Sequence, residues 1–330
     1  MNKRKAVALA LAWLLLSPGV PALALEAEEL VPMGSAVGIR LQTEGVMVAG
    51  LADVETAEGT LRPAEAAGLR LGDVVTAVDG KRTDSAAAFL TALSALSGAP
   101  VDLTVARDGQ EVHLTVTPAQ ALSGAWQLGL WLRDGVSGIG TVTFYDPVSG
   151  TFGALGHGVN DLESGALLPF GQGVITQARV VDVIPGTNGK PGELCGEFDQ
   201  EKALGELQKN TPSGIFGTAD WTEQAQPVPV AAEDETALGP ASILCCVDGD
   251  EVCAYSVEIS RIYRSPEDHR FLMLTITDPA LLEATGGIVQ GMSGSPILQN
   301  GKLVGAVTHV LIGDPTRGYG ISIRDMLAAA

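Results

Sequence analysis

Residues 285–296 read Thr-Gly-Gly-Ile-Val-Gln-Gly-Met-Ser-Gly-Ser-Pro, a serine held between glycines with a proline close behind. A glycine at 291 lets the backbone take a tight turn that a Cβ would forbid. Such a turn can aim the N–H groups of Gly291 and Ser293 at one point, an arrangement that stabilises negative charge developing on an oxygen. Gly294 keeps the far side of Ser293 open. Residues 297–307 then read as two strands joined by Asn300-Gly301, a strong hairpin signal. This part of the chain is therefore a glycine turn running into a β-hairpin. A plain Gly/Ser turn between two strands fits the same residues, and the rest of the chain must separate the two readings.

Composition narrows the setting. At 330 residues the chain is long enough for two domains and a sizeable core. With 46% hydrophobic and 18% charged residues it is globular and not disordered. Forty-one glycines and few aromatics predict many turns and short strands. A net charge of −19 excludes nucleic acid and anionic lipid surfaces as main partners. The four cysteines, Cys195, Cys245, Cys246 and Cys253, form no Cys-x-x-Cys, and no His-Glu-x-x-His occurs, so neither a metal site nor a cofactor is expected. Cys245 and Cys246 point to opposite faces of a strand. A bridge from Cys245 to Cys253 across Asp248-Gly249 is conceivable, but buried free thiols are the expectation.

Residues 1–24 have the form of an export signal: Asn2-Lys3-Arg4-Lys5, a short apolar run from Ala6 to Leu16, and Ala22-Leu23-Ala24 for cleavage. An uncleaved anchor is the alternative, and either places the body outside the cytoplasm. Residues 31–118 read as one small α+β domain. Residues 35–41 are a loop running into an alternating strand, and Gly45–Gly50 makes a second. Residues 63–80 give a short helix, a buried strand and an Asp79-Gly80 turn. Asp84 to Leu96 is an amphipathic helix with an aspartate start signal, and two strands follow around Asp108-Gly109. This order, with Ala-Gly-Leu-Arg-Leu-Gly-Asp-Val-Val at 67–75, resembles a bacterial PDZ domain. The resemblance makes Val37-Gly38-Ile39 a loop that binds the carboxylate of a peptide end added to the sheet. A domain that merely packs on its neighbour is the alternative.

From Trp126 to residue 330 the texture changes to short strands punctuated by Gly and Pro, which predicts an all-β barrel or sandwich. His157 stands between Gly156 and Gly158 at a strand end, accessible from several sides, as a functional histidine would be. Residues 186–240 read as loop-rich, and Pro279 to Ala284 as a single helical turn. A serine hydroxyl is a poor nucleophile until a base takes its proton and a third group orients that base. His157, His269 and His309 are the candidate bases. His269 lies in a charged, solvated run, His309 on the hairpin beyond the serine, and His157 has the best local geometry. Asp278, Asp161, Asp182 and Asp314 are the candidate acids. Asp278 lies fifteen residues before Ser293 (293 − 278 = 15), yet a carboxylate beside a proline also suits a helix N-cap.

Taken together, the chain resembles the stage IV sporulation protein B family of serine peptidases over nearly its whole length. The residues that carry this are Gly-Thr-Val-Thr-Phe-Tyr-Asp-Pro at 140–147, Gly-Ala-Leu-Gly-His at 153–157, Asn-Thr-Pro-Ser-Gly-Ile-Phe-Gly-Thr at 210–218, Thr-Asp-Pro at 277–279 and the serine stretch at 285–296. The resemblance implies a mainly β chain, a PDZ-like α+β domain followed by a trypsin-like double β-barrel. It implies His157 as general base, Asp278 as its orienting acid and Ser293 as nucleophile. It also implies a signalling role: export from the forespore, then cleavage of the extracytoplasmic part of a membrane complex. That cleavage releases an intramembrane protease which processes a late sigma factor. Self-cleavage, with the PDZ-like domain targeting substrate, belongs to the same picture. A non-enzymatic PDZ adaptor and a general quality-control protease are the competing expectations.

Overall fold

The computed structural model describes residues 29–94, 96–107, 109–161, 165–222, 226–263 and 271–330. The segment expected to direct export, 1–24, and His269 lie outside the described residues.

Alternating apolar residues build one long strand near the start, β1 (Ala36–Leu51). Its first half sends Val37 and Ile39 into a core with Phe152, Ile175 and Ile215. Its second half sends Val46 and Val48 into another core with Val75, Phe89 and Leu103. The second core belongs to an α+β unit made of α1 (Pro63–Ala66), β2 (Val74–Val78), α2 (Ala86–Leu93), β3 (Val101–Arg107) and β4 (Gln110–Val116). Helix α2 begins at Ser85, whose hydroxyl accepts from the Ala88 N–H at 3.2 Å, one residue after the aspartate that the sequence singles out. The buried Asp73 pairs with Arg107 at 2.7 Å and ties the turn before β2 to β3. Removing one partner of a buried pair costs about 3–5 kcal/mol.

Strand β5 (Leu130–Tyr145) runs back along β1, with Leu130 opposite Leu51 and Thr141 opposite Ala36. Leu128, Leu130 and Leu132 consequently pack in the α+β core, although they follow the expected limit at 118. The two units share strands instead of meeting at a linker. The next strands are β6 (Thr151–Ala154), β7 (Gln172–Ile184), β8 (Glu193–Thr211) and β9 (Gly214–Thr218). Their ladders run β5-β6-β9-β8-β7-β1, and the β1–β5 pairing closes them into a ring. This ring is the first barrel. Strand β8, 19 residues long, corrects the expectation of a loop-rich stretch at 186–240. Its side chains are mostly charged or small, so it carries little apolar alternation; pairing with β7 is what makes it a strand.

The same pairings correct the assignment of Val37, Gly38 and Ile39. They lie within β1, opposite Gly140, Ile139 and Gly138 on one edge and Gln177, Thr176 and Ile175 on the other. Two ladders engage their backbone groups, and Phe198 and Thr176 occupy the space beside Gly38. No carboxylate-binding loop can form there.

Six strands close the second barrel in the order β10-β11-β12-β15-β14-β13. They are β10 (Gly239–Cys245), β11 (Cys253–Ile262), β12 (Leu272–Ile276), β13 (Pro296–Gln299), β14 (Lys302–Leu311) and β15 (Asp314–Ser322). Ile243, Ile259, Leu274 and Ile297 fill it and are fully buried. Cys245 faces Cys253 across β10–β11, but all four cysteines are free thiols, so no bridge forms. Helix α3 (Pro279–Thr285) links β12 to the serine stretch. The C-terminal α4 (Ile323–Ala329) seats Ile323 and Met326 against Leu30 and Phe144, joining the barrels through a common core.

Candidate active site

The serine loop spans the gap between α3, which ends at Gly286, and β13. Each carbonyl from 290 to 293 has a donor. Gln290 O accepts from Leu194 N at 2.9 Å, and Gly291 O from Thr141 Oγ1 at 2.8 Å. Met292 O accepts from Ser295 N at 3.0 Å and from Ser295 Oγ at 2.7 Å. Ser293 O accepts from Thr141 N at 3.0 Å. In a trans peptide the C=O and the following N–H point opposite ways. Tying off Gln290 O and Met292 O therefore turns the N–H groups of Gly291 and Ser293 away from those donors. Among the described residues neither N–H meets an acceptor.

The Ser293 hydroxyl donates to Thr308 O on β14 at 2.6 Å. His157 approaches the same place from the first barrel. After β6 the chain reverses at Leu155 (φ 68°) and Gly156 (φ 69°), and this turn presents the imidazole. A Cβ on Gly156 would sit 3.0 Å from Thr308 Cγ2, and one on Gly294 would sit 2.5 Å from Leu155 N. Only glycine allows approaches this close. The histidine turn of one barrel and the serine loop of the other thus converge on Thr308 and His309. The rings of His157 and His309 lie 4.8 Å apart between centroids.

His157 Nδ1 is 2.8 Å from Gly158 O. An Nδ1–H donating to that carbonyl leaves the lone pair on Nε2, the tautomer a general base requires. Burial lowers the imidazole pKa below its ordinary value, and the Gly158 carbonyl opposes this more weakly. The ring is therefore neutral near pH 7. Asn210 fixes the segment that follows. Its Oδ1 accepts from Val159 N, and its Nδ2 donates to Val159 O and Leu168 O, each at 2.9 Å. Residues 210–218 carry a sequence motif, but only the fold gives Asn210 this task.

A serine hydroxyl, a neutral imidazole and two unpartnered N–H groups are the parts of nucleophilic acyl transfer. The family model SpoIVB peptidase S55 matches residues 124–327. The chain belongs to this family. It is a serine peptidase acting on protein substrates. A PDZ domain model matches residues 37–117 of the same S55 peptidase. No curated protein matches the chain. Among solved structures, the active form of the Rv3671c protease from M. tuberculosis is 14% identical, with a TM-score of 0.37 over 59% of this chain and 72% of its own. The HtrA-type protease AlgW with decapeptide is 12% identical, with a TM-score of 0.34 over 59% of this chain and 52% of its own.

In this S55 peptidase the contacts of Asp278 lie away from His157. Asp278 Oδ1 accepts from Ala280 N at 3.0 Å and Leu281 N at 3.2 Å, and Oδ2 from Ser256 N at 3.2 Å. These N–H groups, that of Ser256 foremost, hold its carboxyl below the usual carboxylate range. No hydrogen bond joins Asp278 to His157, whose Nδ1 is met by a carbonyl. The assignment of Asp278 as orienting acid is thus corrected to N-cap of α3. Asp161 is buried beside Arg133 at 3.4 Å, Asp182 accepts from the adjacent Val183 N–H, and Asp314 accepts from Thr316. Asparagine caps a helix about as well as aspartate but keeps one acceptor oxygen where the carboxylate uses two. Asp278→Asn should therefore keep turnover within about threefold and, by leaving the Ser256 N–H or the helix N–H groups without an acceptor, lower the melting temperature by roughly a few degrees. Kinetics and a thermal melt of this variant check that outcome. A loss near 10⁴-fold would instead return Asp278 to the triad.

Proposed function

We propose that this S55 peptidase is an exported regulatory endopeptidase of a sporulation signalling pathway. In this reading it cleaves the extracytoplasmic segment of a protein in a membrane complex and processes itself, and the PDZ region brings substrate to the barrels. Family membership supports the pathway, and the form of residues 1–24 supports export. One observation carries the chemistry: the His157 turn and the Ser293 loop meet at Thr308, beside N–H groups that no carbonyl of the loop can reach.

The mechanism follows from those groups. Ser293 Oγ leaves Thr308 O and gives its proton to His157 Nε2 as it attacks the scissile carbonyl. The oxyanion settles against the N–H groups of Gly291 and Ser293. His157 then protonates the leaving amine, and a water deprotonated by the same imidazole hydrolyses the acyl-enzyme. Gly158 O stabilises the imidazolium through Nδ1–H in both halves.

The base acts only when neutral, so kcat/KM falls as pH drops through its pKa. Because burial lowers that pKa from 6.5, the acid limb should lie below pH 6.5. A pH–rate profile with the limb at or above that value contradicts the assignment. Reaction of the purified chain with a fluorophosphonate probe separates an enzyme from an adaptor. Digestion of unfolded casein as readily as a membrane-complex segment would favour quality control over signalling. Sequencing the mature N-terminus after secretion tests export.

A further inference from the structure

We propose that Thr141 is a positioning residue that holds the oxyanion loop in its working form, an inference that rests on Ser293 being the nucleophile. Thr141 lies on β5 of the first barrel and is 1% exposed. Its hydroxyl crosses to the other barrel and donates to Gly291 O at 2.8 Å. Its N–H donates to Ser293 O at 3.0 Å, and its own carbonyl accepts from Leu155 N at 3.2 Å, in the turn that carries His157. One residue therefore grips the carbonyls on both sides of Met292 and the base of the histidine turn.

The hydroxyl is the part that is not generic backbone pairing. Two other buried threonine hydroxyls close by, Thr143 Oγ1 and Thr308 Oγ1, have no hydrogen-bond partner in the structure. Thr141 Oγ1 has one, the carbonyl of Gly291. Gly291 sits at φ 96°, and a glycine there rotates with little steric resistance. Met292 N–H, on the same peptide plane as Gly291 O, donates to Val289 O at 3.2 Å. Without the Thr141 donor that bond alone orients the plane, and a tilt of Gly291 O toward the cleft would repel the oxyanion and shift the two flanking planes that carry the Gly291 and Ser293 N–H groups. Leu194 N and Ser295 hold only the neighbouring peptide planes. The two barrels thus complete one site: the first supplies the base and the clamp, the second the nucleophile and the N–H groups.

The test is the second-order rate of fluorophosphonate labelling of full-length wild type, Thr141→Val, Thr141→Ser and Ser293→Ala. Valine keeps the volume and removes the hydroxyl, and serine keeps the hydroxyl. Thr141→Val should label roughly 10- to 100-fold more slowly, short of the roughly 10²–10³-fold loss from deleting an oxyanion donor. Thr141→Ser should stay within about threefold of wild type, because the donor is retained. Circular dichroism and melts show that each variant is folded, and Thr141→Ala replaces valine if valine does not fold. A Thr141→Val protein that labels at the wild-type rate overturns the proposal, as does a serine variant as slow as valine. Wild type that fails to label, like Ser293→Ala, overturns the peptidase reading itself and the clamp with it.

Discussion

Ser293→Ala should lower turnover by about 10⁴- to 10⁶-fold and abolish self-processing, while the protein stays folded. The hydroxyl is the nucleophile, and no other side chain at the turn can replace it. Ser295, two residues on, is fully buried and donates to Met292 O within its own loop. The structural cost of losing Ser293 Oγ is one hydrogen bond to Thr308 O, about 1 kcal/mol of stability. Activity and stability therefore part company in this variant. Residual cleavage of a protein substrate, measured by gel or by a fluorogenic peptide, should be no greater than in Ser295-intact, probe-blocked enzyme. A purified Ser293→Ala protein with near-normal turnover would remove the serine-peptidase mechanism. Ser295→Ala, by contrast, should cost only a few-fold, since Met292 O keeps the Ser295 N–H at 3.0 Å.

His157→Ala should be nearly as damaging, roughly 10⁴- to 10⁶-fold in kcat, because nucleophile and base act as a unit. For the same reason the double variant with Ser293→Ala should be no slower than either single one. His309 provides the control. It is exposed on β14, with its ring tilted 34° to that of His157 and 4.8 Å away between centroids, so His309→Ala should alter rate far less. Stopped-time assays on the three variants decide between the histidines. If His309→Ala were the more damaging change, the base would be on the second barrel, and the tautomer set by Gly158 O would lose its catalytic meaning.

Part of this site was legible before any fold was known. Asn300 (φ 52°) and Gly301 (φ 75°) form the hairpin turn that their pairing signals. The glycines around Ser293 and His157 occupy positions where loop meets loop, and those close approaches reject any side chain. Asp278 illustrates the limit. Capping and catalysis both suit Asp-Pro after a strand, and the partner that decides, Ser256 N, comes from a neighbouring strand.

What the sequence determined by itself is what short stretches of backbone enforce: the glycine turn, the hairpin, the isolated histidine, and a family likeness carried by those stretches. Tertiary structure decided everything that depends on pairing between distant strands. Val37-Gly38-Ile39 looks like a loop entering a strand, yet closure of the first barrel draws it into the first paired residues of β1 with both edges bonded. The polar β8 becomes a strand only against β7. Thr141 reaches Gly291 from the other barrel, and Thr308 offers Ser293 a backbone carbonyl, a group every residue possesses. Such contacts leave no local mark, because their energy depends on where the barrels bring the chain together and not on which residues are neighbours along it.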